Sequence, residues 1–150
     1  MPRIIPRREW GARPANRIVR DKMPWKRAYL HHTVTAPGGA EVMRQVQDDH
    51  LGRGWADFAY NYGFSVDGQI FEGRGRGVRH GNEDAGASVT FVLLGNFEIA
   101  VPPEPMLDAV AWACADLFLA GDLEPAGLTG GHRDLEPTAC PGRHAYAAIP

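Results

Sequence analysis

The stretch SVTFVLLG, residues 88–95, is too apolar for a strand that keeps one face in water. Such a run reads as a central strand, which requires a sheet around it. The rest of the chain supplies partners. RAYLHHTVT, with aromatic and β-branched residues, predicts a strand over roughly 28–34. AYNYGFSV and QIFEG flank Asp67-Gly68, a two-residue hairpin signal. Between them a turn at Pro37-Gly38-Gly39 leads into AEVMRQVQDDHLGRG, where Val42, Met43, Val46 and His50 fall on one side of a helix. Pro105 opens a second helix over about 105–120 and Gly121 closes it. RHAYAAI predicts a last helical turn or two, and the first 27 residues, rich in Arg and Pro, read as an extended arm packed by Trp10 and Trp25. The expectation is an α/β (mixed α+β) fold, one domain over 1–150, with a central mixed β-sheet flanked by about three helices.

Composition agrees with one core. The 150 residues are 44% hydrophobic and 23% charged, and a domain of this size folds without a disulfide or metal. The net charge is −2 and the basic residues are scattered. Nucleic-acid binding is therefore not expected, and the absence of a long apolar run speaks against membrane insertion. MPRIIPRREWGARP does not read as a signal peptide, so synthesis in a cytoplasm is expected, and the chain is expected to be a monomer.

The chemistry lies in six histidines and two cysteines. Cys114 falls in line with Leu107, Val110, Leu117 and Phe118 at helical spacing and reads as a core thiol. A disulfide to Cys140 is disfavoured, because a helix-core thiol is poorly placed to meet a loop thiol. His31 and His32 are neighbours on a strand and point to opposite faces, so only one can share a site with Tyr29. A strand imidazole, His132 and Cys140 together would make a set of two nitrogens and one sulfur. Zinc accepts such ligands, and three of them leave a fourth position for water. The spacing alone also allows Cys140 as a nucleophile with a histidine base, although no activated-cysteine signature accompanies it. GRGRG lacks the spacing and the following helix of a phosphate loop.

Four motifs taken together are more specific than any one of them. REWGA at 8–12, YLHHT at 29–33, HLGRGWADFAYNYGFSVDGQIFEGRG at 50–75 and GHRDLEPTACPG at 131–142 resemble the peptidoglycan recognition protein and phage-type N-acetylmuramoyl-L-alanine amidase family. The resemblance covers nearly the whole chain in order. It implies zinc-dependent hydrolysis of the amide between N-acetylmuramic acid and L-alanine of peptidoglycan. The zinc ligands would be His31, His132 and Cys140, with Tyr60 and Thr138 lining the active site. Tyr60 and Thr138 are the hydroxyls that could meet an oxyanion, and Tyr60 acting through water is the preferred proton handler. Glu136 reads as a solvated loop charge, His32 and His50 as structural, and His144 as surface.

His80 sits where family members carry a groove histidine. Arg74 and Arg79 crowd the same loop and are expected to grip carboxylates of the stem peptide, with a diaminopimelate-type stem the natural guess. The length suits a phage endolysin, made in the host cytoplasm and acting on the wall after release, with a bacterial wall-recycling or effector enzyme as the alternative origin. The cysteine-free TVTAPGGAEV disfavours a secreted eukaryotic recognition protein. The alternative of a different class is a non-catalytic recognition module that binds muropeptides in the same groove.

Overall fold

The computed structural model describes residues 2–150. Among them six strands form one sheet: β1 (Ile4–Ile5), β2 (Arg27–His32), β3 (Tyr62–Phe64), β4 (Ile70–Glu72), β5 (Ser88–Leu93) and β6 (Gly130–Gly131), in the order β1-β4-β3-β5-β2-β6. Only β3 and β4 pair antiparallel; the other four pairings are parallel. Four helices accompany them: α1 (Arg7–Trp10), α2 (Ala40–Gly52), α3 (Glu104–Leu119) and α4 (Arg143–Ala147), with a single 3-10 turn at His132–Asp134. No helix among the described residues is long and apolar enough to cross a membrane.

The apolar run at 88–95 does become the central strand, between β3 and β2. It is buried along its whole length because helices cover both faces of the sheet. Alternation along β5 divides the core. Val89, Phe91 and Leu93 join Leu30, Phe64, Met106, Val110 and Cys114 on the α3 side. Val92 and Leu94 join Trp10, Val42, Met43 and Phe71 on the α2 side. Full burial of side chains such as Phe64, Phe91 and Met106 contributes roughly 1.5–3 kcal/mol each. Cys114 belongs to this core as expected, with burial pushing its thiol up to about 12, and both cysteines are free.

Three details differ from the sequence reading. The arm is not simply extended: Ile4 pairs with Ile70 to add β1 to the sheet edge, and α1 follows at once. Segments of two and four residues are too short to show a period, and docking makes them regular. Trp10 is buried against α2, and its indole N–H donates to the Glu72 carbonyl at 2.8 Å. The hairpin turns at Asp67-Gly68, but through three residues rather than two. Gly68 N–H donates to Ser65 O at 3.0 Å and Ser65 N–H to Gln69 O at 3.1 Å. Only Gly68 of the turn has positive φ, at 86°, so this is a type I turn closed by a left-handed glycine. Finally β6, a pair of glycines, gave no strand signal; Gly131 admits close packing, since a Cβ there would lie 2.7 Å from Pro141 Cδ.

One buried amide fastens the loop after β4 to the sheet. Asn61 donates from Nδ2 to the carbonyls of Gly75 at 3.0 Å and Val78 at 2.7 Å, and its Oδ1 accepts from Thr90 N–H at 2.9 Å. Removing the side chain leaves those backbone groups without partners in a dry interior. Asn61→Ala is expected to lower unfolding stability by about 3 kcal/mol, read from urea denaturation.

Candidate metal centre and the adjoining cleft

Register places the first candidate ligand. His31 pairs with Val92 and Leu30 with Phe91, so Leu30 enters the α3 core while His31 faces the opposite side. There the His31 ring lies 5.0 Å from the Tyr60 ring and 4.7 Å from the His132 ring, centroid to centroid. His31 is 1% exposed, and its Nε2 has no hydrogen-bond partner. His32 faces the other way, where its Nδ1 accepts from Phe97 N–H at 3.1 Å.

The second and third candidate ligands arrive by the β6 pairing. Tyr29 is opposite Gly130 and Leu30 opposite Gly131, so the next residue, His132, emerges beside His31. Its turn is held by Asp134, which accepts from Gly131 N–H at 2.9 Å and from Tyr146 hydroxyl at 2.7 Å. The Tyr146 bond holds the Asp134 carboxyl below its ordinary range. Arg133 N–H donates to Cys140 O at 2.9 Å, and Cys140 N–H reaches Thr138 Oγ1 at 3.3 Å. Cys140 Sγ thereby comes within 3.7 Å of His31 Nδ1. One donor atom from each of His31, His132 and Cys140 falls within 4.8 Å of the others. Two imidazoles and a thiol, one imidazole buried with an unpartnered nitrogen, fit zinc in chemical type.

Electrostatics agree with a dry site. Burial and the neighbouring histidines lower His31 well below the ordinary histidine value. Burial pushes the Cys140 thiol up to about 11, the opposite of an activated nucleophile. Tyr60 is also raised, by burial first and then by Cys140 and Glu83. Its hydroxyl keeps its proton at neutral pH.

Two carboxylates complicate His132. Glu136 Oε1 lies 2.6 Å and Glu83 Oε2 2.7 Å from His132 Nε2. Nε2 nonetheless lacks a hydrogen bond of acceptable angle, so these are close approaches out of line with the ring N–H. Glu136 is thus not simply a solvated loop charge. Glu83 carried no signal in the sequence, standing in an irregular loop without motif or period.

A cleft lined by Arg17, Trp55, Arg74, Arg79 and His80 holds the predicted substrate residues but none of the three candidate ligands, while Tyr60 lines a separate pocket with Thr33, Thr35 and His50. The polar groups of the cleft are largely spent on the fold. Arg74 donates to the carbonyls of Phe58 at 2.7 Å and Arg79 at 2.9 Å. His80 accepts from Asn82 N–H through Nδ1 at 3.0 Å, and its Nε2 pairs with Ser88 Oγ at 2.9 Å. Arg79, exposed like Arg17 and Trp55, bonds buried Asp21 at 2.9 Å. His50 stacks on Trp55 with ring centroids 4.6 Å apart, and its Nδ1 accepts from Ala59 N–H at 3.0 Å. His144 is half-buried.

An α/β scaffold on which three side chains able to hold a metal converge at the ends of parallel strands defines the class. A family model described as N-acetylmuramoyl-L-alanine amidase matches residues 21–143, and the chain belongs to that family. Peptidoglycan-recognition protein LB of Drosophila melanogaster is 35% identical over 98% of this chain and 67% of its own length. Peptidoglycan recognition protein 1 of Mus musculus is 32% identical over 97% of this chain and 85% of its own length. The solved structure of a tyrosine-to-phenylalanine mutant of Drosophila PGRP-LB in complex with tracheal cytotoxin superposes with a TM-score of 0.88 at 32% identity, covering 96% of this chain and 90% of that one.

His50 and His80 are both lowered to about 4, chiefly by burial, from an ordinary value of 6.5. Between these values the unfolded chain binds more protons than the folded one, so stability rises with pH there. Unfolding free energy is expected to be flat above pH 7 and to fall as pH drops from about 6.5 toward 4. His80→Asn, which retains an acceptor for Asn82 N–H, should show a shallower slope in denaturation measured across that range.

Proposed function

We propose that the chain is a zinc-dependent N-acetylmuramoyl-L-alanine amidase that cleaves the bond between N-acetylmuramic acid and the stem peptide of peptidoglycan. The observation that carries this reading is the convergence of His31, His132 and Cys140 donors within 4.8 Å. Three protein ligands leave room for water and substrate, as hydrolytic zinc sites require. Zinc bound there would polarise the scissile carbonyl and lower the pKa of its water toward about 7.

The side chains divide the remaining tasks. His31, favoured in its neutral form, keeps a lone pair for the ion. Tyr60, protonated and packed against His31, is suited to donate to the oxyanion that develops at the attacked carbonyl. That makes it a donor in preference to a base. Thr138 holds the Cys140 loop through the Cys140 N–H and has its own hydroxyl proton to offer. For the stem peptide, Arg79 at the cleft mouth is the cation we assign to a carboxylate. Arg74 and His80 shape the wall behind it. A diaminopimelate-type stem supplies an extra carboxylate for such a contact. The same activity would serve an endolysin acting on the wall after release from the cell that makes it.

Purified peptidoglycan digested with zinc-loaded protein should release stem peptides with free L-alanine amino termini, seen by mass analysis. Chelation and Cys140→Ser should each abolish that release. Intact peptidoglycan that still captures the protein would establish a recognition module instead. Tyr60→Phe is expected to lower kcat by about 10²–10³-fold while leaving zinc affinity unchanged. Lost zinc in that variant would mean that Tyr60 supports the ligands.

A further inference from the structure

We propose that Glu83 and Glu136 are positioning residues for His132, bracketing its Nε2 so that Nδ1 is the atom left to face the metal. The inference rests on the zinc reading of the site and adds the groups that orient one of its ligands. Glu136 comes from four residues along the same turn, and Glu83 from the loop between β4 and β5. Their oxygens lie 2.6 and 2.7 Å from the same nitrogen, and the three atoms fall within 4.8 Å of one another. An imidazole that ligates through one nitrogen donates its other N–H to a carboxylate, which fixes both tautomer and ring orientation.

Nothing else among the described residues does this for His132. The two carboxylates are the groups that approach its Nε2, at 2.6 and 2.7 Å, whereas the His50 and His80 rings are held by backbone N–H groups that donate to Nδ1. The arrangement has an electrostatic signature as well. Two carboxylates within 4.8 Å of each other repel, and they do so most when no cation stands behind the imidazole. They therefore favour the metal-loaded protein and disfavour the metal-free one. A residue kept for packing would favour both.

The test compares wild type with Glu83→Ala, Glu136→Ala and the double variant. Zinc affinity is measured by competition with a chromophoric chelator, stoichiometry by elemental analysis, and thermal unfolding on the metal-free proteins. Both side chains are 42% exposed, so their removal opens no core cavity. The double variant is expected to hold one zinc, as wild type does, with affinity weakened about 10–100-fold. Its metal-free form should melt at or above the wild-type temperature. Unchanged affinity would overturn the positioning role alone, and so would a parallel loss of metal-free stability. A fall from two zinc ions to one would overturn it in favour of Glu83, His132 and Glu136 acting as ligands to a second cation. Wild type that takes up no zinc would overturn the amidase reading along with it.

Discussion

The pairing of β2 with β5 governs both the core and the candidate site. Six residues of each strand are in parallel register, from Arg27 with Ser88 to His32 with Leu93. Because a strand alternates faces, that one register sends Ala28 and Leu30 into the α3 core and Tyr29 and His31 to the other side. A slip of one residue would exchange them, placing an imidazole among Phe64, Phe91 and Met106 and a leucine beside His132 and Cys140. The hydrophobic core therefore sets the address of a polar ligand. Burial of Leu30 and Phe91 on one face holds His31 in place on the other.

The second partner of β2 extends the same logic. Gly130 and Gly131 continue the ladder with no side chain in the way, and His132 follows one step later beside His31. The loop to Cys140 then folds back over Gly131, tied by Arg133 N–H to Cys140 O and by Cys140 N–H to Thr138. His132 and Cys140, far from His31 in sequence, meet it through a few backbone bonds. The backbone around the three donors is held mainly by sheet and turn hydrogen bonds.

Several charged groups of the neighbouring loops and helices are paired within the fold. Arg7 of α1 bonds Asp57 at 2.8 Å, and Asp57 also accepts from Gln47 of α2 and from Phe58 N–H, each at 2.8 Å. Arg74 is engaged by carbonyls and Asp21 by Arg79 and Trp25.

Much of this was legible in the chain. The apolar run at 88–95, the helical face through Val42 and Met43, the Cys114 face of α3 and the Asp67-Gly68 turn each carry a local signal of composition or period. Opposed orientations of His31 and His32 follow from strand geometry alone, and four ordered motifs pointed to the family and its three candidate ligands. Short elements were not legible: β1, α1 and β6 have two to four residues each and become regular only by docking. Nor could the chain reveal that Arg74 and His80 spend their polar atoms inside, or that Glu83 and Glu136 converge on His132. Local sequence determines which residues favour strand, helix or turn and which side chains can ligate. Distances among residues far apart in the chain depend on the register of parallel strands, and only the packing of the whole core decides that register.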